Sequence, residues 1–225
     1  MSHKPPVSRN LRIAQWAIPI LLLTIFGAMS YGSIQKQTHA AQLTNDIGQH
    51  KHVYVALFSY AKDHDGLYPT DSESESPTAV VCFTQLIQAG VMETEECFWS
   101  KDNAEVLGSA NVFPPYNNRS LTENENTTGY VMGLTTRSRT NLPILFDNST
   151  KSGVFNTGVW QGRAIISKLN GSVECVAIDY GGGPPLNQDG SGKTGTTRER
   201  RGNQDVDIFT HLPDGTTVLP PQLAR

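Results

Sequence analysis

The sequence has no dense basic patch, and charge of either sign is scarce. Its 225 residues include 18 Lys and Arg against 21 Asp and Glu, for a formal net charge of −3. Phosphate binding needs clustered lysines and arginines, so nucleic acid is not an expected partner. Charged residues make up only 17% of the chain, and Asn, Thr, Ser and Gly fill much of the rest, a composition common in exported proteins. The length fits one core domain with an accessory segment.

Cysteine is also scarce. None of the three cysteines lies in a Cys-x-x-Cys motif or at metal-ligand spacing from a histidine, so a zinc site is not expected. Cys82 and Cys97 lie close in sequence, whereas Cys175 is distant. If the body lies outside the cytoplasm, a Cys82–Cys97 disulfide would close a short loop and contribute ~3 kcal/mol. Three buried thiols are the alternative, because spacing does not reveal disulfide geometry.

Charged side chains are absent from 13–35. At ~1.5 Å per residue a helix over this segment is roughly 34 Å long, enough to cross a hydrocarbon core of ~30 Å, so it is predicted to be a transmembrane helix. Three basic residues precede it, Lys4, Arg9 and Arg12. They predict a cytoplasmic segment 1–12 and a periplasmic body, the topology of a single-pass inner-membrane protein.

A cleaved signal peptide and a buried core helix are the alternatives for the apolar segment. Small residues at 28–30 or 38–40 could serve as a cleavage site, but the run exceeds the ~7 to 15 residues of a signal-peptide core. A core helix should have a polar face, and 18–26 offers only Thr24. Both alternatives therefore fit less well than a membrane span.

The apolar segment is predicted to continue as an amphipathic helix over 36–65. Six residues recur at alternating steps of four and three, which is typical of one buried helical stripe: Leu43, Ile47, His50, Tyr54, Leu57 and Ala61. Gly66 can adopt the left-handed conformation that ends a helix, and Pro69 prevents its renewal. The helix should therefore stop just before Gly66.

Residues 66–180 are predicted to form a globular α+β body. The segment "TQLIQAG" over 84–90 predicts a short helix ended by glycine. The runs "GYVMGL" and "LPILFD" predict strands, since each is apolar and bounded by turn-forming residues. "RAIISKL" and "SVECVAI", joined by Asn170 and Gly171, predict an antiparallel hairpin with a type I′ turn.

The segment 181–204 lacks apolar periodicity and is predicted to be a flexible loop. Within it, Asn187, Asp189 and Ser191 place oxygen-bearing side chains at alternate positions, as calcium-binding loops do. A flexible turn without calcium is the alternative, because the terminal Glu of a full calcium loop is missing. The tail 205–225 is expected to add one edge strand, around "DIFTHL" or "TTVLP".

The end of the predicted helix, "YAKDHDGLYP", carries a motif. It places a Tyr-Ala-x-Asp-x-x-Gly-x-Tyr-Pro pattern on Tyr60, Ala61, Asp63, Gly66, Tyr68 and Pro69. With the apolar helix, its amphipathic continuation and the small sheet, this resembles the type IV pilin and type II secretion pseudopilin (prepilin-type) family. The hairpin fits the family frame, with Trp160 at the position of a common His and Asn170-Gly171 at that of Asp-Gly. The family's peptidase site is missing, since the chain reads "SRNLRIAQWAIP" there.

The resemblance implies an α+β, pilin-like fold in which a long N-terminal helix, transmembrane and then amphipathic, packs on a small antiparallel sheet. It also implies a membrane-anchored, non-catalytic structural or interaction subunit of a secretion or pilus-type system. Its partners would be membrane lipid and other pilin-like or secretion-system subunits. A tethered or secreted extracytoplasmic binding module, such as a calcium-dependent adhesin, is the alternative. Calcium is the one cofactor that the resemblance implies, because some pseudopilins hold it in a late loop.

No catalytic constellation is found in the sequence. There is no Gly-x-Ser-x-Gly motif, and Cys175 falls in a predicted strand, as a core residue does. His50 and His52 point to different sides of a helix, so they are not expected to form a metal site with His64. The chain is therefore predicted not to be an enzyme, and mutation of His64, Asp147 or Cys175 would test this.

Overall fold

The computed structural model describes 9–100, 120–122, 125–147, 149–151, 153–181, 194–201 and 204–221. The chain divides into two compact units, Met1–Thr44 and Asn45–Arg225. Helix α1, Arg9–Asp63, begins in the first unit and ends in the second. Before Gln37 its side chains are described only at Leu21 and Thr24.

The described part of the first unit is helix α1. The hydroxyls of Thr24 and Thr44 donate to the carbonyls of Leu21 and Ala40, at 2.8 and 2.9 Å. Within the residues described, no helix combines the length and the apolar character that crossing a membrane requires. This finding overturns the transmembrane helix predicted over 13–35, and with it the inner-membrane location and the periplasmic domain. Most side chains of that segment lie outside the described residues.

The second unit is built on an antiparallel sheet, with nine strands in the part of the chain that is described. The strands are β1 Thr128–Met132, β2 Pro143–Asp147, β3 Ser149–Lys151, β4 Val154–Asn156, β5 Arg163–Lys168, β6 Val173–Asp179, β7 Thr194–Arg201, β8 Gln204–Asp207 and β9 Thr217–Leu219. Their order in the sheet is β3-β4-β7-β6-β5-β2-β1-β9, and β8 pairs with β7 outside this path. The strands predicted from "GYVMGL" and "LPILFD" are confirmed as β1 and β2, and "TTVLP" supplies the edge strand β9.

The centre of the sheet is buried on both faces, which is why β1 and β2 are apolar runs rather than alternating sequences. On one face Tyr130 contacts Phe83, with ring centroids 5.5 Å apart. On the other, Phe146 meets Phe155 and Phe209 at 5.9 and 5.2 Å. These aromatic pairs form the two layers of the core.

The predicted α+β, pilin-like fold is wrong, because the unit that contains the sheet is mostly β. Only the segment of α1 from Asn45 belongs to the unit that contains the sheet, and the sheet is not small. One physical reason is β7, which lies between β4 and β6 although it falls in the predicted loop 181–204. Its sequence "TGTTRERR" has no apolar stripe, so pairing with neighbouring strands, rather than periodicity, defines it as a strand.

The end of α1 is as predicted. Gly66 has φ 85°, and its N–H donates to the carbonyl of Ala61 at 2.8 Å. The chain then turns onto the sheet, where the hydroxyl of Tyr130 donates to the carbonyl of Pro69 at 2.9 Å. The helical motif therefore positions the exit of α1 over strand β1.

Helix α2, Ala79–Gln88, confirms the predicted short helix but begins five residues earlier. The side chain of Thr78 accepts a hydrogen bond from the N–H of Val81 at 3.2 Å, so Thr78 is the N-cap. Gly90 follows with φ 71°. A short 3₁₀ helix, Glu96–Phe98, packs Phe98 against Phe83 at 4.7 Å.

Candidate interaction surface

The inner side of α1 follows the predicted stripe. Leu57 and Ala61 are fully buried and His50 is nearly so, while Tyr54 is half-buried. Nδ1 of His50 lies 3.0 Å from the hydroxyl of Ser167 on β5. These contacts pack the segment of α1 from Asn45 against the sheet, and they determine which of its sides faces outward.

On the opposite side, the segment of α1 from Asn45 carries four exposed residues in line, Lys51, Val55, Phe58 and Lys62. At ~100° per residue they fall within a sector of about 60°, so they share one face, which we call the outer face of α1. Val55 is 61% exposed and Phe58 is 44% exposed. The outer face therefore presents two large apolar side chains between two lysines.

This pairing of apolar side chains is not repeated on the other described elements. The described residues expose five large apolar side chains, Leu21, Val55, Phe58, Leu67 and Val81. Only Val55 and Phe58 lie together on one helix face. Single exposed apolar residues are normal on protein surfaces, and because Val55 and Phe58 are adjacent, this face is the candidate contact surface.

Phe58 is held in place by its neighbour Tyr54. Their rings stack with centroids 6.4 Å apart and planes inclined by 20°. The hydroxyl of Tyr54 donates to the carbonyl of Leu169 at 2.7 Å, and burial raises the pKa of this hydroxyl. The outer face is therefore anchored to the hairpin of β5 and β6.

The predicted β5–β6 hairpin is confirmed, but its turn is not type I′. The N–H of Lys168 donates to the carbonyl of Ser172, and the N–H of Gly171 donates to the carbonyl of Lys168, both at 2.9 Å. Gly171 has φ 79°, whereas Asn170 has no positive φ. The connection is thus a three-residue loop with a left-handed glycine. A Cβ on Gly171 would lie 3.0 Å from the ring of Tyr54, so the glycine leaves room for the anchor.

The predicted calcium ligands Asn187, Asp189 and Ser191 lie outside the described residues, so the calcium loop stays a prediction. His52 is exposed, and His64 stacks on a tyrosine ring at 3.7 Å. Among the described residues, no group of three or more His, Cys, Asp or Glu side chains could hold a metal ion.

The three cysteines are free thiols in the structure. Cys82 is buried in α2 and Cys97 is half-buried in the 3₁₀ helix, and the structure has no Cys82–Cys97 bridge. Burial raises the pKa of Cys82 to about 12 and also raises those of Cys97 and Cys175. Thiols in this state are poor nucleophiles, because the reactive form is the thiolate.

Two buried contacts superficially resemble catalytic ones. His50 and Ser167 meet beneath α1, where Ser167 is fully buried and burial lowers the pKa of His50 to about 4. The carboxylate of Asp147 accepts hydrogen bonds from Nε1 of Trp160 at 2.5 Å and from the N–H of Ile165 at 2.6 Å. Both contacts satisfy buried polar groups, which is a structural role.

Glu95 is a notable buried group that the sequence does not reveal. Both its carboxylate oxygens are buried and have no hydrogen-bond partner. Burial, together with the nearby carboxylate of Glu125, raises the pKa of Glu95 to about 7. The segment "VMETEECF" carries no signal of this, because glutamates in a polar run are expected at the surface.

Comparison with known proteins does not identify a family. No protein-family model, curated protein or solved structure matches the chain. Nothing in these comparisons bears on the resemblance to type IV pilins, and no relative supports a pilin or type II secretion role.

Proposed function

We propose that this protein is a non-catalytic interaction subunit that binds a partner protein through the outer face of α1. The observation that carries this proposal is the exposed pair Val55 and Phe58 on the segment of α1 that belongs to the second unit. An ordered aromatic side chain loses little conformational entropy on binding, which makes it a suitable anchor.

The chemistry of the described residues supports a role without catalysis. All three thiols have raised pKa values, and burial lowers that of His50. The contacts of His50 and Asp147 are internal to the core. A binding role uses the exposed surface instead and needs none of these groups.

Photocrosslinking tests the proposal. A benzophenone amino acid replaces Phe58 in the full chain, and a matched variant carries it at Val81, which is exposed on α2. In the cells that make the protein, we expect a defined protein adduct from position 58 and none of the same mass from position 81.

The crosslinked partner is then purified and titrated against three forms of the full chain. We expect Phe58→Ser to weaken binding about 30-fold, as loss of a central aromatic anchor does, and Val81→Ser to leave it unchanged. Equal adducts from both positions, or full affinity of the Phe58→Ser protein, would refute the proposal.

A further inference from the structure

We infer that the partner of the outer face of α1 is an acidic amphipathic helix of a different protein. This inference rests on the proposed interaction role and adds the chemical class of the partner. It follows from the charges that flank the apolar pair and from the spacing between them.

The outer face is positive although the chain has a net charge of −3. Lys51 and Lys62 are exposed and stand at its two ends, and neither is paired with an acid among the described residues. No acidic residue lies within about 60° of Val55 on the segment of α1 from Asn45. Acidic side chains on a partner would therefore meet two unpaired cations.

A second copy of this chain does not fit the surface. If two outer faces paired in parallel, Lys51 would meet Lys51. If they paired antiparallel with Val55 opposite Phe58, Lys51 would meet Lys62. Like charges oppose both arrangements, so these lysines act against self-association and favour an acidic partner.

The spacing defines the pattern that the partner should carry. Lys51 and Lys62 are eleven positions apart, which is about 16 Å or three helical turns. Val55 and Phe58 lie between them, four and seven positions from Lys51. A partner helix running alongside would match this face with the pattern Glu-x-x-x-apolar-x-x-apolar-x-x-x-Glu, where x is any residue.

A pair of synthetic helical peptides tests this class. One carries the pattern above, and its matched control has Lys in place of both Glu residues. Binding to the full-length protein is measured by fluorescence anisotropy at low and high salt. We expect the acidic peptide to bind about tenfold more tightly than the basic one at low salt, and the difference to shrink at high salt.

A charge-reversal variant makes the test specific. In Lys51→Glu/Lys62→Glu protein we expect the preference to invert toward the basic peptide, and in Phe58→Ser protein we expect both peptides to bind weakly. Equal binding of the two peptides, no binding of either, or an unchanged preference in the charge-reversed protein would overturn the inference. Binding to phosphatidylglycerol vesicles in place of the acidic peptide would overturn it too, since the surface would then serve a lipid.

The two experiments separate the two proposals. If peptide charge proves irrelevant while the crosslinked partner still requires Phe58, only the partner class falls. If the crosslinked partner binds the Phe58→Ser protein with full affinity, the interaction role of the outer face falls as well.

Discussion

Protonation of His50 should make the stability of this protein depend on pH. His50 lies beneath α1 against Ser167, and burial lowers its pKa from 6.5 to about 4. In the unfolded chain the imidazole returns to its ordinary pKa, so between these values the unfolded state binds more protons. Stability from the neutral imidazole is therefore complete above pH 6.5 and is lost as pH falls toward 4.

The size of the effect follows from the shift. The pKa of His50 falls by about 2.5, and at ~1.36 kcal/mol per pKa unit this corresponds to about 3 kcal/mol of the free energy of unfolding. This is a large share of the ~5–15 kcal/mol that separates a typical folded domain from its unfolded state. Carboxylates elsewhere add their own pH dependence, so the contribution of His50 must be isolated with a variant that lacks this histidine.

His50→Gln keeps a polar side chain near Ser167 but does not titrate. We expect the free energy of unfolding of the wild type to drop about 3 kcal/mol more than that of His50→Gln between about pH 7 and pH 4. Urea unfolding at several pH values measures both, and His52→Gln, at an exposed site, should follow the wild type. Parallel curves for the wild type and His50→Gln would refute the reasoning.

Three further outcomes are expected. Glu95→Gln should raise the free energy of unfolding by about 1–3 kcal/mol near pH 8 and bring little gain at pH 4. The raised pKa means that the folded state favours the protonated carboxyl, and the stability that this protonation contributes is lost as pH rises from 4.5 through 7. Unfolding curves at pH 4 and pH 8 check this. Gly171→Ala should lower the free energy of unfolding by about 1–3 kcal/mol, which chemical unfolding measures, and should cost more than Gly90→Ala. Both glycines have positive φ, but only Gly171 has Tyr54 within contact distance. Millimolar calcium should leave Tm unchanged in thermal unfolding if the segment around Asp189 is a flexible turn, whereas a rise would support the calcium loop.

Local features of the fold were predictable because their cause is local. The stripe through Leu57 and Ala61 follows from helical periodicity, and the stop at Gly66 follows from the freedom of glycine at positive φ. The β5–β6 hairpin was predictable because two apolar runs joined by Asn-Gly are a local signal. Its turn type was not predictable, since Asn-Gly fits more than one loop and the long-range packing of Gly171 against Tyr54 selects one.

The fold class was not predictable, because it depends on pairing between distant strands. Strand β7 is polar and lies in a Gly-rich region, yet it pairs with β4, β6 and β8. Sequence patterns detect burial, so a strand defined mainly by main-chain pairing is missed. The candidate site was missed for the converse reason. Val55 and Phe58 interrupt the polar side of α1, and a search for the buried stripe passes over apolar residues that face outward.

The fold and the candidate site are joined by one series of contacts. Gly171 leaves space for Tyr54, whose hydroxyl is held by Leu169 and whose ring supports Phe58. If the surface binds only through its composition, a shift of Tyr54 leaves the affinity unchanged. If the surface is preorganised, the same shift lowers the affinity, because a mobile Phe58 must be ordered again on binding. Gly171→Ala substitutes none of the four residues of the outer face. We therefore expect it to weaken partner binding per folded molecule, measured by titration at equal folded concentration, and undiminished affinity would mean that exposure of Val55 and Phe58 alone is sufficient.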